Sequence, residues 1–243
     1  MTNIILVGYG KMGKLIAETI DRADDLRIIG IVDTIDPEQA RSFDEIDTVA
    51  DVVMDFSYPG NLSMTLSYVL EKGCALVLGT TGLTVDQTAQ VNEASTQVPI
   101  VFSYNYSLGI AVLKRALSLV APALIDDFDI EIIEAHHRQK VDAPSGTAKL
   151  LKDAIDPNGE MLAVAGRSGI VGARTKKEIG MHAVRGGTVA GEHSVLFLGD
   201  QESISFKHAA NNRQIFVNGA VKAARFVAGK PAGMYTIDNV LFG

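Results

Sequence analysis

The sequence predicts an α/β protein of two domains, with a parallel sheet in the N-terminal part and a smaller α+β domain with a mixed sheet after it. Two patterns predict this architecture. Short β-branched runs alternate with amphipathic helical stretches up to residue 106, which is typical of right-handed βαβ crossovers and parallel pairing. Extended segments then follow one another with few helices between them, as in antiparallel or mixed sheets.

The elements of the N-terminal part are predicted from the spacing of apolar residues. Short apolar runs predict strands at residues 4–7, 26–32, 52–56, 75–78 and 99–102. Apolar residues at helical spacing predict helices at residues 11–23, 61–72 and 85–94. In the first of these helices, Met12, Ile16 and Ile20 share one face.

The pattern changes near Ser107, where a long apolar helix is predicted at residues 108–119. The later elements are a strand at 128–135, a helix at 147–155, extended segments at 181–184, 194–198 and 203–207, and a helix at 218–228. We therefore expect a first domain at residues 1–106 and a second at 107–213, with residues 214–243 packing back on the first.

Composition argues against several classes of protein. The net charge is −7 and there is no long basic run, so we expect no nucleic-acid partner. No uncharged apolar run reaches membrane-spanning length and no export leader is visible, so we expect a cytoplasmic protein without membrane contact. Cys74 is the single cysteine, which predicts a buried strand residue and neither a disulfide nor a metal site.

A glycine-rich turn at residues 8–13 follows the first strand and opens the first helix. It consists of Gly8, Tyr9, Gly10, Lys11, Met12 and Gly13. In this strand–turn–helix context the Gly-x-Gly-x-x-Gly spacing predicts a Rossmann-type dinucleotide-binding domain, with the pyrophosphate at the helix start. Asp33 ends the second strand, where a carboxylate accepts hydrogen bonds from the adenosine ribose.

The cofactor predicted from this pattern is NADH, NADPH or both. Asp33 repels a 2′-phosphate, and Thr34 stands where an arginine would favour one, whereas Lys11 offsets the repulsion. We therefore expect use of both cofactors, with NADH at least tolerated, and the pattern leaves the preference between them open. Two later strand ends are candidates for the nicotinamide half, or else plain turns: Gly79, Thr80 and Thr81, and Ser103, Tyr104, Asn105 and Tyr106.

Residues 134–148 combine basic side chains with a helix start. Four basic residues lie within five positions, from His136 to Lys140, in a chain that is acidic overall. An imidazole transfers protons near neutral pH, and a lysine either donates a proton or adds a compact charge. Ser145, Gly146 and Thr147 begin the next helix, whose free N–H groups suit a carboxylate. The alternatives are a solvated loop and a helix start without a ligand.

Other basic residues give weaker signals. Arg185 could hold an anion, but a surface turn or a subunit contact is at least as consistent with its position. Arg213 is a further candidate for a substrate carboxylate. His182, His193 and His208 lie in or beside predicted strands without metal-ligand spacing, which favours structural roles.

The sequence resembles the 4-hydroxy-tetrahydrodipicolinate reductase family, also called dihydrodipicolinate reductases, over essentially its whole length. The residues that carry the resemblance are the glycine-rich turn, Glu134-Ala135-His136-His137, Lys140, Asp142-Ala143-Pro144-Ser145-Gly146-Thr147-Ala148, Asp55-Phe56-Ser57, Gly79-Thr80-Thr81-Gly82, Asn105-Tyr106-Ser107-Leu108-Gly109, Arg185-Gly186-Gly187 and Asn218-Gly219-Ala220. Two positions depart from some members: the turn is one residue shorter with Lys11 for arginine, and Thr34 replaces the arginine after the acid.

The resemblance implies NAD(P)H-dependent reduction of 4-hydroxy-tetrahydrodipicolinate, a small dicarboxylate, in the diaminopimelate route to lysine. It implies His136 as proton donor with Lys140, substrate binding by His137, Ser145, Gly146 and Thr147, and cofactor binding by the turn, Asp33, and the two later strand ends. It also implies a homotetramer of two-domain subunits that close over cofactor and substrate. The alternatives are another two-domain NAD(P)-dependent dehydrogenase and a nucleotide-sensing regulator without turnover.

Overall fold

Strands and helices alternate through the first hundred residues, as the sequence predicts. The computed structural model describes residues 1–243. The first elements are β1 (Thr2–Val7), α1 (Lys11–Asp21), β2 (Leu26–Val32), β3 (Val52–Asp55), α2 (Leu62–Lys72), β4 (Ala75–Leu78), α3 (Val85–Ala94) and β5 (Pro99–Phe102). The predicted bounds of β2, β4, α3 and β5 are confirmed to the residue.

The later elements include more strands than the sequence predicts. They are α4 (Leu108–Leu124), β6 (Asp129–His136), α5 (Gly146–Ile155), β7 (Leu162–Ala165), β8 (Glu178–Arg185), β9 (Gly191–Leu198), β10 (Ser203–Ala210), α6 (Gln214–Val227), β11 (Gly233–Tyr235) and α7 (Ile237–Phe242). Strands β7 and β11 and helix α7 were not predicted. Helix α4 was predicted to end at residue 119, but it continues through Pro122 because Leu117 and Ala121 are fully buried on its inner face.

The chain divides into two compact units. The first consists of Met1–Leu108 and Gln214–Gly243, and the second of Gly109–Arg213. In the first unit six parallel strands form one sheet in the order β11-β5-β4-β3-β1-β2. The strand order reverses between β1 and β3, and in open α/β sheets ligands bind at the carboxyl ends of strands beside such a point. The glycine-rich turn follows β1 there.

Helix α6 belongs to the first unit although it lies late in the sequence. It packs on α1 and on β4, and its side chains Val217, Ala220 and Ala224 are fully buried. A separate core of fully buried strand residues such as Ile5, Val53 and Leu76 packs with residues of α2 and α3. None of the helices combines the length and the apolar character needed to cross a bilayer.

The second unit is built on a mixed sheet in the order β10-β9-β6-β8-β7. Strand β6 pairs antiparallel with β9 and parallel with β8, so the predicted mixed sheet and the α/β class are confirmed. Alternation along β6 buries Ile130 and Ile132 against α4 and α5. The same period of two puts Glu134 and His136 on that inner face, past the apolar core, at the carboxyl end of the strand.

Candidate functional site

Two glycines of the glycine-rich turn, Gly8 and Gly13, could not be replaced by another residue without a clash. Gly8 has φ +91°, and a Cβ there would lie 2.9 Å from the carbonyl oxygen of Phe56. A Cβ on Gly13 would lie 2.0 Å from the Gly8 oxygen, so helix and turn touch directly. At Gly10, the N-cap of α1, a Cβ would meet nothing within 4 Å and no side chain caps the helix. The uncapped start with open space above it fits a pyrophosphate.

Asp33 ties this turn to the end of β2. Its carboxylate accepts hydrogen bonds from the backbone N–H groups of Tyr9 at 2.5 Å, Ile35 at 2.8 Å and Asp36 at 3.0 Å. Burial raises the pKa of Asp33, but the three backbone hydrogen bonds outweigh it and hold the pKa below its usual value. Asp33 is therefore an ionised acceptor beside the turn, as a ribose-binding carboxylate must be.

Arg41 supplies a cation that the sequence reasoning missed. The chain leaves β2 after Asp33 and returns, because Asp33 N–H donates to the Ala40 carbonyl at 2.9 Å. This return brings Arg41 Nη1 to 3.4 Å from the carbonyl oxygen of Thr34. Thr34 has no positive charge, and Arg41, seven residues later in the sequence, places one beside it. No local sequence motif predicts this contact.

Asp55 organises the ends of β3 and β4. It is fully buried and accepts hydrogen bonds from the Ser57 hydroxyl at 2.6 Å, the Thr80 hydroxyl at 2.8 Å and the Thr65 hydroxyl at 2.8 Å. The Thr80 side chain is therefore engaged with Asp55 and faces away from solvent, whereas Thr81 is exposed. Ser57, in turn, lies directly against the space that a Gly8 side chain would fill.

The stretch from Ser103 to Tyr106 divides between surface and core. Tyr104 is largely exposed, and Ser103 Oγ donates to the Asn105 carbonyl at 2.8 Å in a tight turn. The hydroxyl of Tyr106 lies 2.9 Å from the Leu78 oxygen and 3.0 Å from the Val101 oxygen, and burial raises its pKa well above the usual value. The side chain of Tyr106 is therefore engaged in the core, and only its backbone could contact a cofactor.

In the second unit, strand register brings four distant residues onto the inner face of the sheet. Glu134 on β6 lies opposite His193 on β9, and His136 lies opposite Arg185 on β8. We call these four residues and Ser145 the Glu134 network. The rings of His136 and His193 are 5.1 Å apart at their centroids and steeply inclined.

Glu134 is the centre of the network. One oxygen, Oε2, lies 2.6 Å from Nδ1 of His136, and Arg185 donates to both oxygens at 2.7 Å. The other, Oε1, also accepts from the Ser145 N–H at 3.0 Å. Burial raises the pKa of Glu134, but the hydrogen bonds from Arg185 and His136 outweigh it and hold the pKa below its usual value.

Ser145 is the N-cap of α5 and links the helix to His193. Its hydroxyl oxygen accepts from the Ala148 N–H at 3.1 Å and lies 3.1 Å from Nε2 of His193. Burial, with the nearby charge of His136, lowers the pKa of His193 from 6.5 to about 4. His193 is therefore neutral near pH 7 and holds the serine in place.

The loop before α5 carries the remaining candidates. Lys140 Nζ lies 2.8 Å from Asp142, and this hydrogen bond lowers the pKa of the Asp142 carboxyl. The turn is closed by the Lys140 N–H, which donates to the His137 carbonyl at 3.1 Å. Nδ1 of His137 is buried without a hydrogen-bond partner. At Gly146 a Cβ would meet nothing within 4 Å, so the space over the start of α5 is open.

Arg185 is the last residue of β8 and does not lie in a surface turn, and its guanidinium is paired with Glu134. The sequence alone could not predict this ion pair, because Arg185 and Glu134 are 51 residues apart and meet only through the pairing of β6 with β8. Arg213 is exposed and lies outside the network. His182 contacts Glu131 at 2.6 Å, an arrangement that fits a structural role.

Comparison with protein families matches both parts of the chain. The model for the N-terminus of dihydrodipicolinate reductase matches residues 2–106. The model for the C-terminus of dihydrodipicolinate reductase matches residues 109–241.

Individual relatives agree with this match. A 4-hydroxy-tetrahydrodipicolinate reductase of an Exiguobacterium species is 42% identical over 98% of this chain and 95% of its own length. The enzyme of the same name from Clostridium tetani is 44% identical over 99% of this chain and 97% of its own.

Solved structures show the same fold at lower identity. A dipicolinate-bound dihydrodipicolinate reductase from Paenisporosarcina has a TM-score of 0.80 at 23% identity, covering 99% of this chain and all of that chain. A scyllo-inositol dehydrogenase from Lactobacillus casei with bound NAD(H) and scyllo-inositol has a TM-score of 0.61 at 12% identity, covering 99% and 93%.

Proposed function

This chain belongs to the dihydrodipicolinate reductase family, and from that premise we propose that it reduces 4-hydroxy-tetrahydrodipicolinate to tetrahydrodipicolinate in the diaminopimelate route to lysine. It is an NAD(P)H-dependent oxidoreductase that acts on a dicarboxylate-like substrate. The observation that carries the proposal is the Glu134 network, which sets an oriented imidazole beside the open start of α5.

The cofactor is assigned to the first unit. The turn at residues 8–13 would hold the pyrophosphate and Asp33 the adenosine ribose, with Gly79 to Thr81 and Ser103 to Asn105 near the nicotinamide. When bound, the reduced nicotinamide supplies the hydride for the ring. The structure supports this assignment through the uncapped helix start at Gly10 and the ionised carboxylate of Asp33.

His136 is assigned the proton that must follow the hydride. The 4-hydroxyl group leaves as water, and the ring that accepts hydride develops negative charge, which a positioned imidazolium quenches by donating a proton from its free nitrogen. Nδ1 of His136 is engaged with Glu134, which leaves Nε2 for the substrate. Such a positioned acid contributes about 10²- to 10⁴-fold to rate.

The substrate carboxylates are assigned to the loop and the start of α5. Lys140 and His137 would contribute charge and hydrogen bonds, and the helix start at Gly146 and Thr147 would contribute backbone N–H groups beside Ser145, whose own N–H is bonded to Glu134. Two observations support this: the orphaned Nδ1 of His137 and the open space over Gly146. Lys140 would exchange its contact with Asp142 for one with the substrate.

We also propose that the protein is a cytoplasmic homotetramer whose subunits meet through the second sheet. Its outer face, opposite α4 and α5, presents Leu162, Ile133, Val184 and Leu198 at 65%, 38%, 52% and 39% exposure. Exposed apolar side chains grouped on one sheet face are typical of a subunit interface. Cytoplasmic location is supported by the need for a supply of reduced nicotinamide cofactor.

The test is a turnover assay with purified protein. Substrate is made freshly by the preceding synthase from pyruvate and aspartate semialdehyde, and oxidation of NADH and of NADPH is followed by absorbance. Rapid oxidation by the wild type, reduced at least ~100-fold in kcat by His136→Gln, would support the reductase and the acid role. Cofactor binding without oxidation of either cofactor would overturn the proposal and favour a sensor or another dehydrogenase.

A further inference from the structure

We infer that Glu134 is a positioning residue that fixes the tautomer of His136, keeping a hydrogen on Nδ1 so that Nε2 alone exchanges a proton with the substrate. The inference rests on the proposed function for its consequence in catalysis. The tautomer itself is a property of the free protein and can be measured without turnover.

The first argument is the chemistry of the contact. An ionised carboxylate has no hydrogen to donate, so a ring nitrogen 2.6 Å from it must carry one. Nδ1 of His136 therefore holds its hydrogen both in the imidazolium and after the ring has given up a proton. The proton that leaves comes from Nε2.

The second argument is that Glu134 is kept as an acceptor. Four donors converge on its two oxygens: both terminal nitrogens of Arg185, the Ser145 N–H and Nδ1 of His136. Two donors reach each oxygen, which fills the lone pairs of an ionised carboxylate. Together they hold the pKa of Glu134 below its usual value in spite of burial, so the carboxylate keeps its charge at neutral pH.

The third argument is that Nε2 of His136 faces a space. A Cβ on Gly191 would lie 3.1 Å from this nitrogen, so the missing side chain leaves room beside it. The nearest other imidazole, His193, does not compete for the proton because burial lowers its pKa to about 4 and its Nε2 contacts Ser145. The charged groups around His136 within this unit are thus Glu134, Arg185 and the Lys140–Asp142 pair.

The Glu134 carboxylate also connects His136 with the start of α5, to which the substrate carboxylates are assigned. Glu134 accepts from the backbone of Ser145, the N-cap of α5, and Arg185 donates to the Asp142 carbonyl at 2.6 Å. One ion pair therefore fixes the imidazole and holds the loop that precedes α5 at two points, Asp142 and Ser145. Rigid support of this kind keeps catalytic groups within about 0.5 Å of their working positions.

The variant Glu134→Gln makes the sharpest test because the surrounding donors favour one orientation of its amide. At the Oε1 position an amide NH₂ would face two donors that cannot become acceptors, Arg185 and the Ser145 N–H, whereas at Oε2 it would face only one, the other nitrogen of Arg185. The amide oxygen is therefore favoured at the Oε1 position. The NH₂ then faces Nδ1 of His136, which becomes an acceptor. The neutral ring is forced into the tautomer with hydrogen on Nε2.

The experiment is nitrogen NMR of protein labelled with ¹⁵N-histidine, in which the two ring nitrogens show which one carries hydrogen. His136→Gln identifies the His136 signals. We expect neutral His136 in the wild type to carry hydrogen on Nδ1, and Glu134→Gln to move it to Nε2. The matched control is Asp156→Asn, which removes another buried carboxylate of the same unit, one that accepts from the Met161 N–H and from Lys152. It should leave the tautomer unchanged.

Turnover supplies the second readout. We expect Glu134→Gln to lower kcat at least ~100-fold, as for loss of a positioned acid, while KM for the substrate changes less than about threefold. Asp156→Asn should keep kcat within about twofold.

Hydrogen on Nε2 of neutral wild-type His136 would overturn the inference, and so would a Glu134→Gln protein with unchanged tautomer and kcat. The tautomer of His136 measured in the wild type tests the inference even if the Glu134→Gln protein does not fold. An inactive wild type with hydrogen on Nδ1 would refute the reductase and leave the positioning role standing.

Discussion

A Cβ atom on Gly191 would lie 3.1 Å from Nε2 of His136, closer than ordinary van der Waals contact. With His136 as the proposed acid, a methyl group there would occupy space beside the nitrogen that donates to the substrate. We expect Gly191→Ala to lower kcat about tenfold or more. Gly186→Ala is the control, because its added Cβ would meet nothing within 4 Å. Equal kcat values for the two folded variants would show that the space beside Nε2 is not used.

Lys140 is expected to act mainly through substrate binding. A hydrogen bond to a charged group contributes about 1.5–3 kcal/mol, so Lys140→Met should raise KM for the dicarboxylate roughly 10- to 100-fold. The affinity for NADH, measured by fluorescence titration, should stay the same. Arg138→Met is the control on the same loop, where Arg138 is exposed. A fall in kcat with unchanged KM would instead assign Lys140 to proton transfer.

Asp55 is expected to support the cofactor without touching it. Asp55→Asn loses a charged acceptor for the hydroxyls of Ser57, Thr65 and Thr80, and Ser57 lies against Gly8 in the glycine-rich turn. We expect the dissociation constant of NADH to rise about tenfold, from loss of a bond to a charged group.

The control for this prediction lies at the opposite end of the same strand. Asp51 precedes β3 and accepts from the Asn3 N–H at 2.7 Å, away from the carboxyl edge where ligands bind. Asp51→Asn should leave NADH affinity unchanged. Equal weakening by both substitutions would point to general destabilisation of the sheet.

Arg41 is expected to favour NADPH over NADH. Its guanidinium lies 3.4 Å from the carbonyl oxygen of Thr34, the residue after Asp33, to which we assign the ribose, and it is exposed. An exposed ion pair is worth about 0.2–1 kcal/mol, so Arg41→Met should lower the ratio of kcat/KM for NADPH to that for NADH by up to about fivefold. The effect should shrink at high salt. Arg27→Met, which removes an exposed arginine hydrogen-bonded to Asn3, should not change the ratio.

His193 is expected to make the protein sensitive to acid. Its pKa is lowered from 6.5 to about 4 in the folded state, so between these values the unfolded chain binds the proton more readily. Stability is therefore lost as the pH falls from 6.5 to 4, by about 3 kcal/mol for this group. We expect the difference in unfolding free energy between wild type and His193→Gln to narrow by that amount between pH 7 and pH 4 in urea titrations. A difference independent of pH would contradict this.

The elements predicted from the sequence are those that a local pattern of a few neighbouring residues specifies. Helix α3 begins where Thr84 and Gln87 form a capping box, and β4 is a continuous apolar run after Gly73. Strand β7 was missed because it is four residues long and mostly exposed, so neither alternation nor burial marks it. Strand β11 has only three residues, and its pairing with β5 comes from the far end of the sequence.

In the candidate site, too, only the residues that lie close together in the sequence could be predicted. The histidines, Lys140 and the start of α5 lie on one short segment, and their residue types could be recognised together. Two members of the Glu134 network, Arg185 and His193, could not be recognised, because they join it through the register of three strands. Arg41 reaches Thr34 through the pairing of Asp33 with Ala40. Such contacts depend on backbone hydrogen bonds that no local pattern encodes.

The return of the chain to its first unit after residue 213 dictates the order in which the protein can fold during synthesis. When residue 108 leaves the ribosome, the first sheet still lacks β11, and α1 lacks the buried surface of α6. The second unit, which is continuous in sequence, is complete earlier, at Arg213. The N-terminal strands must therefore wait, incompletely covered, while a hundred later residues are translated, and a nascent chain stopped at residue 108 should be a substrate for chaperones and proteases.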